Sequence, residues 1–278
     1  MYIRCWGSRG SIPVSGKKYA KYGGDTTCLE IRTKSNDIII VDAGTGIRRL
    51  GNQMMKEGFT KFHLVFTHAH WDHVLGMPFF KPIYLPQSQF RILRCPFPSY
   101  VGKMLSRVMG PPNFPVRFSD IRSEFIYEKT CTLSFSIGSV IVEPIQLSHP
   151  NTGSGYKFIE DGKIFVFLTD NELRMVHPGG LPYRNYLEFC KGADLLFHDA
   201  EYTPQEYEKV ISWGHSSYTD TLELAIEAGV KNLGMFHLNQ DRSDRQVDKM
   251  VRDARRILAE KGINMGCFAV GADMEFEV

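Results

Sequence analysis

The stretch FTHAHWDHVLG, residues 66–76, carries three histidines and an aspartate within six positions: His68, His70, Asp72 and His73. Imidazole nitrogens and carboxylate oxygens are the usual protein ligands of zinc and related cations. His68 and His70 point the same way in an extended segment, whereas the adjacent Asp72 and His73 can turn toward different centres. A histidine-rich surface loop is the less favoured alternative, because an apolar run leads into the stretch and the chain has only nine histidines. The spacing therefore favours two metal ions over one.

Other candidate ligands follow later apolar runs of the sequence, which the pattern predicts to be strands. They are His149, Asp170, His198, Asp199 and His237. His215, in the segment WGHSSY, directly precedes a predicted helix. A lone histidine at a strand end is more often structural than a ligand, but the strands of one sheet bring their ends together. Several such residues favour one composite site, from which His198 is expected to face away because neighbours on a strand alternate.

The order of the predicted elements indicates hairpins early in the chain and alternating strands and helices later. Strands are predicted at 28–33, 37–42, 61–67, 139–147, 156–160, 163–170, 193–200 and 231–237, and helices at 43–58, 216–229 and 243–262. Ser217 is a candidate N-cap, and Gly229 ends the same helix. This mix favours an α/β (α+β) chain with two sheets between helices over one doubly wound sheet. We expect a single domain spanning residues 1–278.

A proline-rich, aromatic stretch at about residues 81–130 interrupts this pattern and shows only one helical candidate, at 100–109. So long an excursion inside a regular pattern favours an insertion that covers a functional site over a separate domain. Its aromatic side chains are expected to serve packing, with stacking on a base as the alternative: Tyr84, Phe97, Phe114 and Phe118.

Composition excludes several classes of protein. A formal net charge of +2 argues against a dedicated nucleic-acid coat or a membrane-surface binder. The six cysteines form no CxxC pair and are typical of reduced, buried thiols in an intracellular protein. No apolar run approaches the ~20 residues that a membrane helix needs, and residues 1–10 do not resemble a signal peptide. We therefore expect a cytoplasmic protein without membrane contact.

The run THAHWDH matches the HxHxDH signature of the metallo-β-lactamase superfamily, which the chain resembles over nearly its whole length. That resemblance implies a four-layer αβ/βα sandwich of the metallo-β-lactamase type, in agreement with the predicted elements. It also implies two groups of metal ligands, one formed by His68, His70 and His149 and the other by Asp72, His73 and His237. Asp170 would bridge the two metals. The implied cofactors are two divalent metal ions, with Zn²⁺ expected and Mn²⁺ the alternative.

The residue at the bridging position separates branches of the superfamily, because enzymes acting on β-lactams often have a cysteine where this chain has Asp170. The segment from Asp199 to His215 is similar to the RNase Z and cyclic-nucleotide phosphodiesterase branch, in which an acid and a histidine pair beside the metals. A histidine held by a carboxylate can donate a proton to a leaving ribose oxygen. Asp72, Asp199 and His215 are therefore the predicted catalytic residues.

Together these features predict a dinuclear metal-dependent phosphodiesterase acting on a small, anionic, cyclic or nucleotide-like phosphodiester. RNase Z carries a long arm between its third and fourth metal motifs, and no arm fits between His149 and Asp170. An RNase Z-like endonuclease that processes tRNA 3′ ends is therefore the alternative, and a nucleic-acid partner is less favoured. A thioester or lactone hydrolase would give Asp199 and His215 no obvious task, and an inactive metal sensor would not need seven ligand positions. A homodimer is expected from the resemblance alone.

Two further features resemble the same branch. Residues 6–28, WGSRGSIPVSGKKYAKYGGDTTC, hold basic side chains that could steer an anionic substrate, although a plain ordered loop is favoured: Arg9, Lys17, Lys18 and Lys21. Asp42 ends a predicted strand beside the histidine run. By resemblance it orients a metal-binding histidine, a common need in metal sites.

Overall fold

The computed structural model of the chain describes residues 1–92, 100–128 and 133–278. Its strands are β1 (Tyr2–Gly7), β2 (Cys28–Arg32), β3 (Ile38–Val41), β4 (Lys61–Val65), β5 (Gln89–Ile92), β6 (Glu124–Tyr127), β7 (Phe135–Ile137), β8 (Val140–Leu147), β9 (Gly153–Glu160), β10 (Lys163–Leu168), β11 (Leu195–Asp199), β12 (Asn232–Phe236), β13 (Gly266–Ala269) and β14 (Glu275–Glu277). Its α-helices are α1 (Ile47–Glu57), α2 (Trp71–Val74), α3 (Tyr100–Val108), α4 (Tyr183–Cys190), α5 (Pro204–Tyr207), α6 (Tyr218–Glu227) and α7 (Asp244–Glu260). The predictions for Cys95, Phe97 and Cys131 fall outside the described residues.

The strands form two seven-stranded sheets with matching topologies. The first has the order β14-β1-β2-β3-β4-β5-β6 and the second the order β13-β12-β11-β10-β9-β8-β7. In each sheet, half of the neighbouring pairs are antiparallel and half are parallel, with the change at β3 in the first sheet and at β10 in the second. Open sheets bind ligands beyond the carboxyl ends of parallel strands. A ligand site is therefore expected at the loops that follow β3, β4 and β10 to β12.

Three separate apolar layers give the four-layer αβ/βα arrangement that the sequence predicts. Side chains such as Val41 and Phe165 fill the space between the two sheets. The outer face of the first sheet is covered by α1 and α3, and that of the second sheet by α4, α6 and α7. The α/β class and the sandwich are therefore confirmed.

Helix ends follow the predicted signals. In α1, the residues at one helical face are buried, and Gly58 ends the helix at a φ of 76° with its N–H on the carbonyl of Met54. Only glycine adopts this left-handed geometry without strain. The side chain of Ser217 caps α6 by accepting the N–H of Asp220 at 3.2 Å. The predicted start of α1 was too early, since residues 43–46 precede the first helical turn.

The stretch at 81–130 contains more regular structure than its prolines suggest. Two short parallel strands, β5 and β6, extend the first sheet beyond β4, and α3 packs on the same sheet. Four-residue strands between prolines give too short a pattern to be recognised in the sequence. The aromatic side chains described there pack as expected. The ring centroids of Phe118 and Phe125 lie 4.9 Å apart, and the Tyr84 hydroxyl donates to the carbonyl of Pro78.

The cysteines of the described residues are in the state that the composition predicts, which is a reduced and buried thiol. Cys5, Cys28, Cys190 and Cys267 are free thiols and all are buried. Among the helices of residues 1–92, 100–128 and 133–278, none combines the length and apolar character needed to cross a bilayer.

Candidate active site

The predicted ligands converge where loops leave the carboxyl ends of the parallel strands. The histidine run follows β4, Asp170 follows β10, Asp199 ends β11 and His237 follows β12. Asp170 and His237 both adopt left-handed backbone, with φ near 55°. The tight turn at each strand end directs the side chain over the edge of the sheet. Residues far apart in the sequence, such as Asp72 and His237, therefore lie in contact.

The first group of side chains comprises His68, His70, His149 and Asp170, whose ligand atoms lie within 4.8 Å of one another. Nε2 of His149 is 3.1 Å from Nδ1 of His70. Nε2 of His68 is 3.4 Å from Oδ2 of Asp170, and Nε2 of His149 is 3.9 Å from the same oxygen. Three imidazoles and a carboxylate thus face one point.

The second group comprises Asp72, His73, Asp170 and His237, again with ligand atoms within 4.8 Å. Nε2 of His237 lies 3.1 Å from Oδ2 of Asp72 and 3.4 Å from Oδ2 of Asp170. Nε2 of His73 lies 3.2 Å from Oδ2 of Asp72 and 3.3 Å from Oδ1 of Asp170. Asp170 belongs to both groups and offers an oxygen to each.

The side chains fit a pair of divalent cations. Nε2 of His68 and Nε2 of His73 are fully buried and have no hydrogen-bond partner, which is costly unless something else binds these nitrogens. Burial holds the pKa of His68 well below its ordinary value and lowers that of His149 to about 4, so both imidazoles are neutral at pH 7. Although burial acts in the opposite direction, the surrounding histidines hold the pKa of Asp170 well below its usual range. Neutral imidazoles and an anionic carboxylate are the forms that bind metals. Burial also lowers the pKa of His73 and His237, but the neighbouring carboxylates outweigh it and raise both pKa values well above the ordinary value, so metal binding at these two rings would release protons.

The other ring nitrogens of His73 and His149 are fixed by partners outside the two groups. Nδ1 of His73 lies 2.8 Å from Oδ2 of Asp42, which also accepts the hydroxyl of Thr67 at 2.7 Å. Nδ1 of His149 donates to the carbonyl of Gly214 at 2.9 Å. These bonds set the tautomer that leaves Nε2 facing the site. Asp42 therefore lies where the resemblance expects it.

Asp199 and His215 form a close pair beside the second group. Oδ2 of Asp199 lies 2.5 Å from Nδ1 of His215, and the His215 ring stacks on that of His237 at 4.6 Å. Both side chains are buried. Burial lowers the pKa of His215, but the carboxylates of Glu201 and Asp199 outweigh it and raise the pKa to about 9.

Glu201 is a site residue that sequence reasoning missed. Its Oε2 lies 2.9 Å from Nδ1 of His237 and 3.5 Å from Nδ1 of His215, and its side chain is buried. One carboxylate therefore orients a candidate ligand and the candidate proton donor together. The signal in the sequence was its position two residues after Asp199, which is the spacing of side chains that face the same way in an extended segment.

Several predicted residues lie outside this constellation. His198 points away, as expected, and lies 3.2 Å from the side-chain nitrogen of Asn171. Arg9 is completely buried and donates to the carbonyls of Gly23, Asn239 and Arg242, so its charge joins loops and does not face solvent. Lys21 pairs with Asp248 on the surface of α7. The ordered-loop interpretation of this segment fits these contacts better than steering of a substrate.

Glu172 is a second missed residue, which fixes the loop carrying Gly214 and His215. The buried carboxylate of Glu172 accepts from the hydroxyl of Tyr207 at 2.7 Å and from the N–H groups of Ser212 and Gly214 at 2.9 and 2.8 Å. Nε2 of His177 lies 2.7 Å away. Burial raises the pKa of Glu172, but these donors hold it below its ordinary value.

Replacing Glu172 with alanine is expected to lower the free energy of unfolding by about 3–5 kcal/mol, because it leaves buried donors without an acceptor. Urea denaturation monitored by circular dichroism measures the change. The matched control is Glu188→Ala, which removes an exposed carboxylate 3.8 Å from Lys191 and is expected to cost less than about 0.5 kcal/mol. Similar losses in both variants would contradict a special role for Glu172.

Comparison with known proteins places this chain in a family. A family model described as beta-lactamase superfamily domain matches residues 38–238 of the chain. The chain belongs to the beta-lactamase superfamily. One relative is ribonuclease Z of Haloarcula marismortui, which is 25% identical to this chain. The alignment covers 95% of this chain and 96% of the relative.

Solved structures with a similar fold match the whole length of the chain. A diphosphatase from the PhnP family matches with a TM-score of 0.70 and 18% identity, over 100% of this chain and 97% of that chain. Yeast PDE1 matches with a TM-score of 0.67 and 13% identity, over 100% of this chain and 99% of that chain. The fold, the superfamily and the grouped histidines and aspartates identify the protein as a metal-dependent hydrolase that binds divalent metal.

Proposed function

We propose that this superfamily member is a dinuclear metal-dependent phosphodiesterase that hydrolyses a small cyclic or nucleotide-like phosphodiester. One observation carries the proposal: Asp170 is shared by two ligand groups, and the Asp199–His215 pair lies within 4.8 Å of Asp170 and His237. Metal ions at the two ligand groups would polarise a phosphate, and the adjacent Asp199–His215 pair can protonate a leaving oxygen. A thioester or lactone hydrolase has less use for this proton-donating pair.

In this proposal His68, His70 and His149 would hold the first metal, Asp72, His73 and His237 would hold the second, and Asp170 would contribute to both. When bound, two divalent metal ions lower the pKa of water and neutralise charge on the phosphate oxygens. Five of the seven side chains are imidazoles, a donor that suits zinc better than it suits manganese. Zinc is therefore the proposed metal.

The chain's own residues complete the reaction. Nδ1 of His215 is taken by Asp199, which leaves Nε2 as the nitrogen that donates a proton to the leaving oxygen. Glu201 holds the rings of His215 and His237 in parallel. The N–H of Ser11 donates to Oδ2 of Asp72 at 2.9 Å and fixes the carboxylate.

Substrate turnover tests this proposal. Zinc-loaded protein is expected to hydrolyse bis-p-nitrophenyl phosphate and at least one member of a panel of 2′,3′- and 3′,5′-cyclic nucleotides, and His70→Ala is expected to abolish both activities. Absence of hydrolysis of every phosphodiester by protein with two bound metals per chain would overturn the proposal. Hydrolysis of thioesters or lactones under the same conditions would identify the other class of reaction.

Asp42 provides a test of the metal assignment away from the ligands themselves. Asp42→Asn is expected to weaken zinc binding by about 10- to 100-fold, because partners that orient metal-binding histidines contribute on that order. Competition with a chromophoric chelator measures the affinity. Asp37→Asn, at the other end of β3 and hydrogen-bonded to Ser35 and Thr33, is the matched control and is expected to keep wild-type affinity. Equal zinc affinities of Asp42→Asn and wild type would contradict the assignment.

An RNase Z-like endonuclease is the second candidate, and one observation favours it. A groove of about 540 Å³ beside the site is lined by the exposed aromatic side chains of Trp71 and Phe79, the half-buried Phe114 and the cation of Arg107. Aromatic rings interleaved with positive charge are typical of surfaces that bind single-stranded nucleic acid.

The arm of RNase Z has no counterpart between His149 and Asp170, since a turn of two residues joins β9 to β10. Cleavage of precursor tRNA near its 3′ end, with affinity that falls as salt rises, would establish the endonuclease. Cleavage of cyclic nucleotides alone would exclude it. A single domain, a cytoplasmic location and a homodimer are further proposals, which limited proteolysis, fractionation and light scattering test in turn.

A further inference from the structure

A cavity of about 300 Å³ opens directly onto the first ligand group. His68 and His70 form one side of it, and the apolar side chains of Phe66, Val101 and Met104 line the rest together with Ala69, Asn151 and Thr152. Since Val101 and Met104 belong to α3, the stretch at 81–130 supplies one wall. A phosphodiester with its phosphate between the ligand groups would have one ester substituent within reach of this cavity.

The polar part of the cavity wall has an unusual backbone. Asn151 and Thr152 follow the candidate ligand His149 and have φ angles of 64° and 68°. This conformation is costly for a β-branched residue such as threonine, and strained residues persist mainly at sites of function. The loop is held by the N–H of Thr152, which donates to the carbonyl of His149 at 3.0 Å. It places an amide and a hydroxyl at a wall that is otherwise apolar.

We propose that this cavity binds a flat heteroaromatic group of the substrate, and that α3 makes the enzyme prefer aromatic to alkyl esters. The inference rests on the proposed function. The apolar walls remove the ring faces from water, while Asn151 and Thr152 can hydrogen-bond to the ring edge. The volume is at the lower end of the range of about 300–1,000 Å³ for small-molecule sites, which suits one ring system better than a stretch of nucleic acid.

Binding of non-hydrolysable ligands tests the cavity without turnover. Calorimetry compares phenylphosphonate with methylphosphonate, which share the phosphonate and differ in the ring. Zinc-loaded wild type is expected to bind phenylphosphonate at least about tenfold more tightly, or about 1.4 kcal/mol, because a ring is removed from water.

Two variants of α3 separate the cavity from the helix surface. Val101→Trp fills the cavity with an indole and is expected to reduce the preference for phenylphosphonate to less than about twofold. Lys103→Trp adds the same side chain on the exposed face of α3 and is expected to retain the tenfold preference.

Recognition of the ring edge is tested separately. Asn151→Ala is expected to weaken binding of uridine monophosphate by about three- to tenfold more than it weakens binding of phenylphosphonate, because only the nucleotide carries hydrogen-bonding groups on its ring. Asn151 is exposed, so this variant keeps the proposal testable if Val101→Trp does not fold. An equal loss for both ligands would contradict recognition of the ring edge.

The outcomes distinguish this inference from the proposed function. Equal affinities of wild type for the two phosphonates would overturn the inference even if bis-p-nitrophenyl phosphate is hydrolysed. An unchanged tenfold preference in a folded Val101→Trp variant would overturn it as well. A preference that Val101→Trp removes, in a protein that hydrolyses no phosphodiester, would support the cavity and overturn the phosphodiesterase.

Discussion

Asp170→Asn is expected to lower phosphodiester hydrolysis by about 10³-fold or more and to reduce bound zinc from two ions per chain to one or fewer. The carboxylate offers one oxygen to each ligand group, at 3.3 Å from Nε2 of His73 and 3.4 Å from Nε2 of His68. An amide keeps the shape but loses the negative charge and one acceptor. The loss corresponds to several kcal/mol of metal-dependent stabilisation of the transition state. Elemental analysis and turnover of bis-p-nitrophenyl phosphate measure the two effects.

The same hairpin offers a closely matched control for this substitution. Asp161 lies at the opposite end of β10 and has a similar left-handed backbone, with a φ of 51° against 55° for Asp170. It is exposed and pairs with Lys34. Asp161→Asn is expected to retain both zinc ions and full turnover. Loss of activity without loss of metal in Asp170→Asn would contradict the bridging role, since it would separate catalysis from metal binding.

His215→Ala is expected to slow hydrolysis of a 2′,3′-cyclic nucleotide by about 10²- to 10⁴-fold, the usual contribution of a positioned proton donor. The same variant is expected to lose much less activity on bis-p-nitrophenyl phosphate. Nitrophenolate leaves readily without a proton, whereas a ribose oxygen does not. Steady-state kinetics on the two substrates gives the ratio, which a merely structural role of His215 would not change.

Metal analysis of His215→Ala distinguishes a proton donor from a metal ligand. His215 belongs to a third group with Asp170, Asp199 and His237, whose ligand atoms also lie within 4.8 Å. The proton-donor role predicts two zinc ions per chain in the variant, and a ligand role predicts fewer. The control is His63→Ala, whose Nε2 lies 3.6 Å from Oδ1 of Asp37. This variant is expected to keep both the metal content and the rate. Reduced zinc in His215→Ala alone would therefore contradict the proposed role.

Sequence reasoning succeeded where a residue's role depends on local spacing. The period-two positions of His68 and His70, the strand that leads into them and the glycine that ends α1 are properties of short segments. The predicted ligands at strand ends also meet, because parallel strands share the edge at which they terminate. The change between hairpins and alternating strands and helices predicted two sheets between helices, and the resemblance to the superfamily implied the αβ/βα sandwich.

Residues that act through long-range contacts were harder to find. Glu172 and Glu201 look like ordinary acids in the sequence, and their buried hydrogen bonds depend on segments 36 to 42 residues away. Arg9 looks like an exposed cation near the site and is instead buried among backbone carbonyls. Whether a charged side chain is exposed is set by the whole fold, so no local pattern reports it.

The sequence by itself predicted the candidate metal ligands, since four of them lie within a few adjacent residues and the others lie at strand ends. Only the tertiary structure decided what surrounds those ligands. It placed Glu201 beside the predicted pair of Asp199 and His215, and it brought Val101 and Met104 of α3 to the cavity beside His70. The physical reason is that coordination chemistry depends on which side chains are present, whereas proton donation and substrate shape depend on how distant segments pack against them.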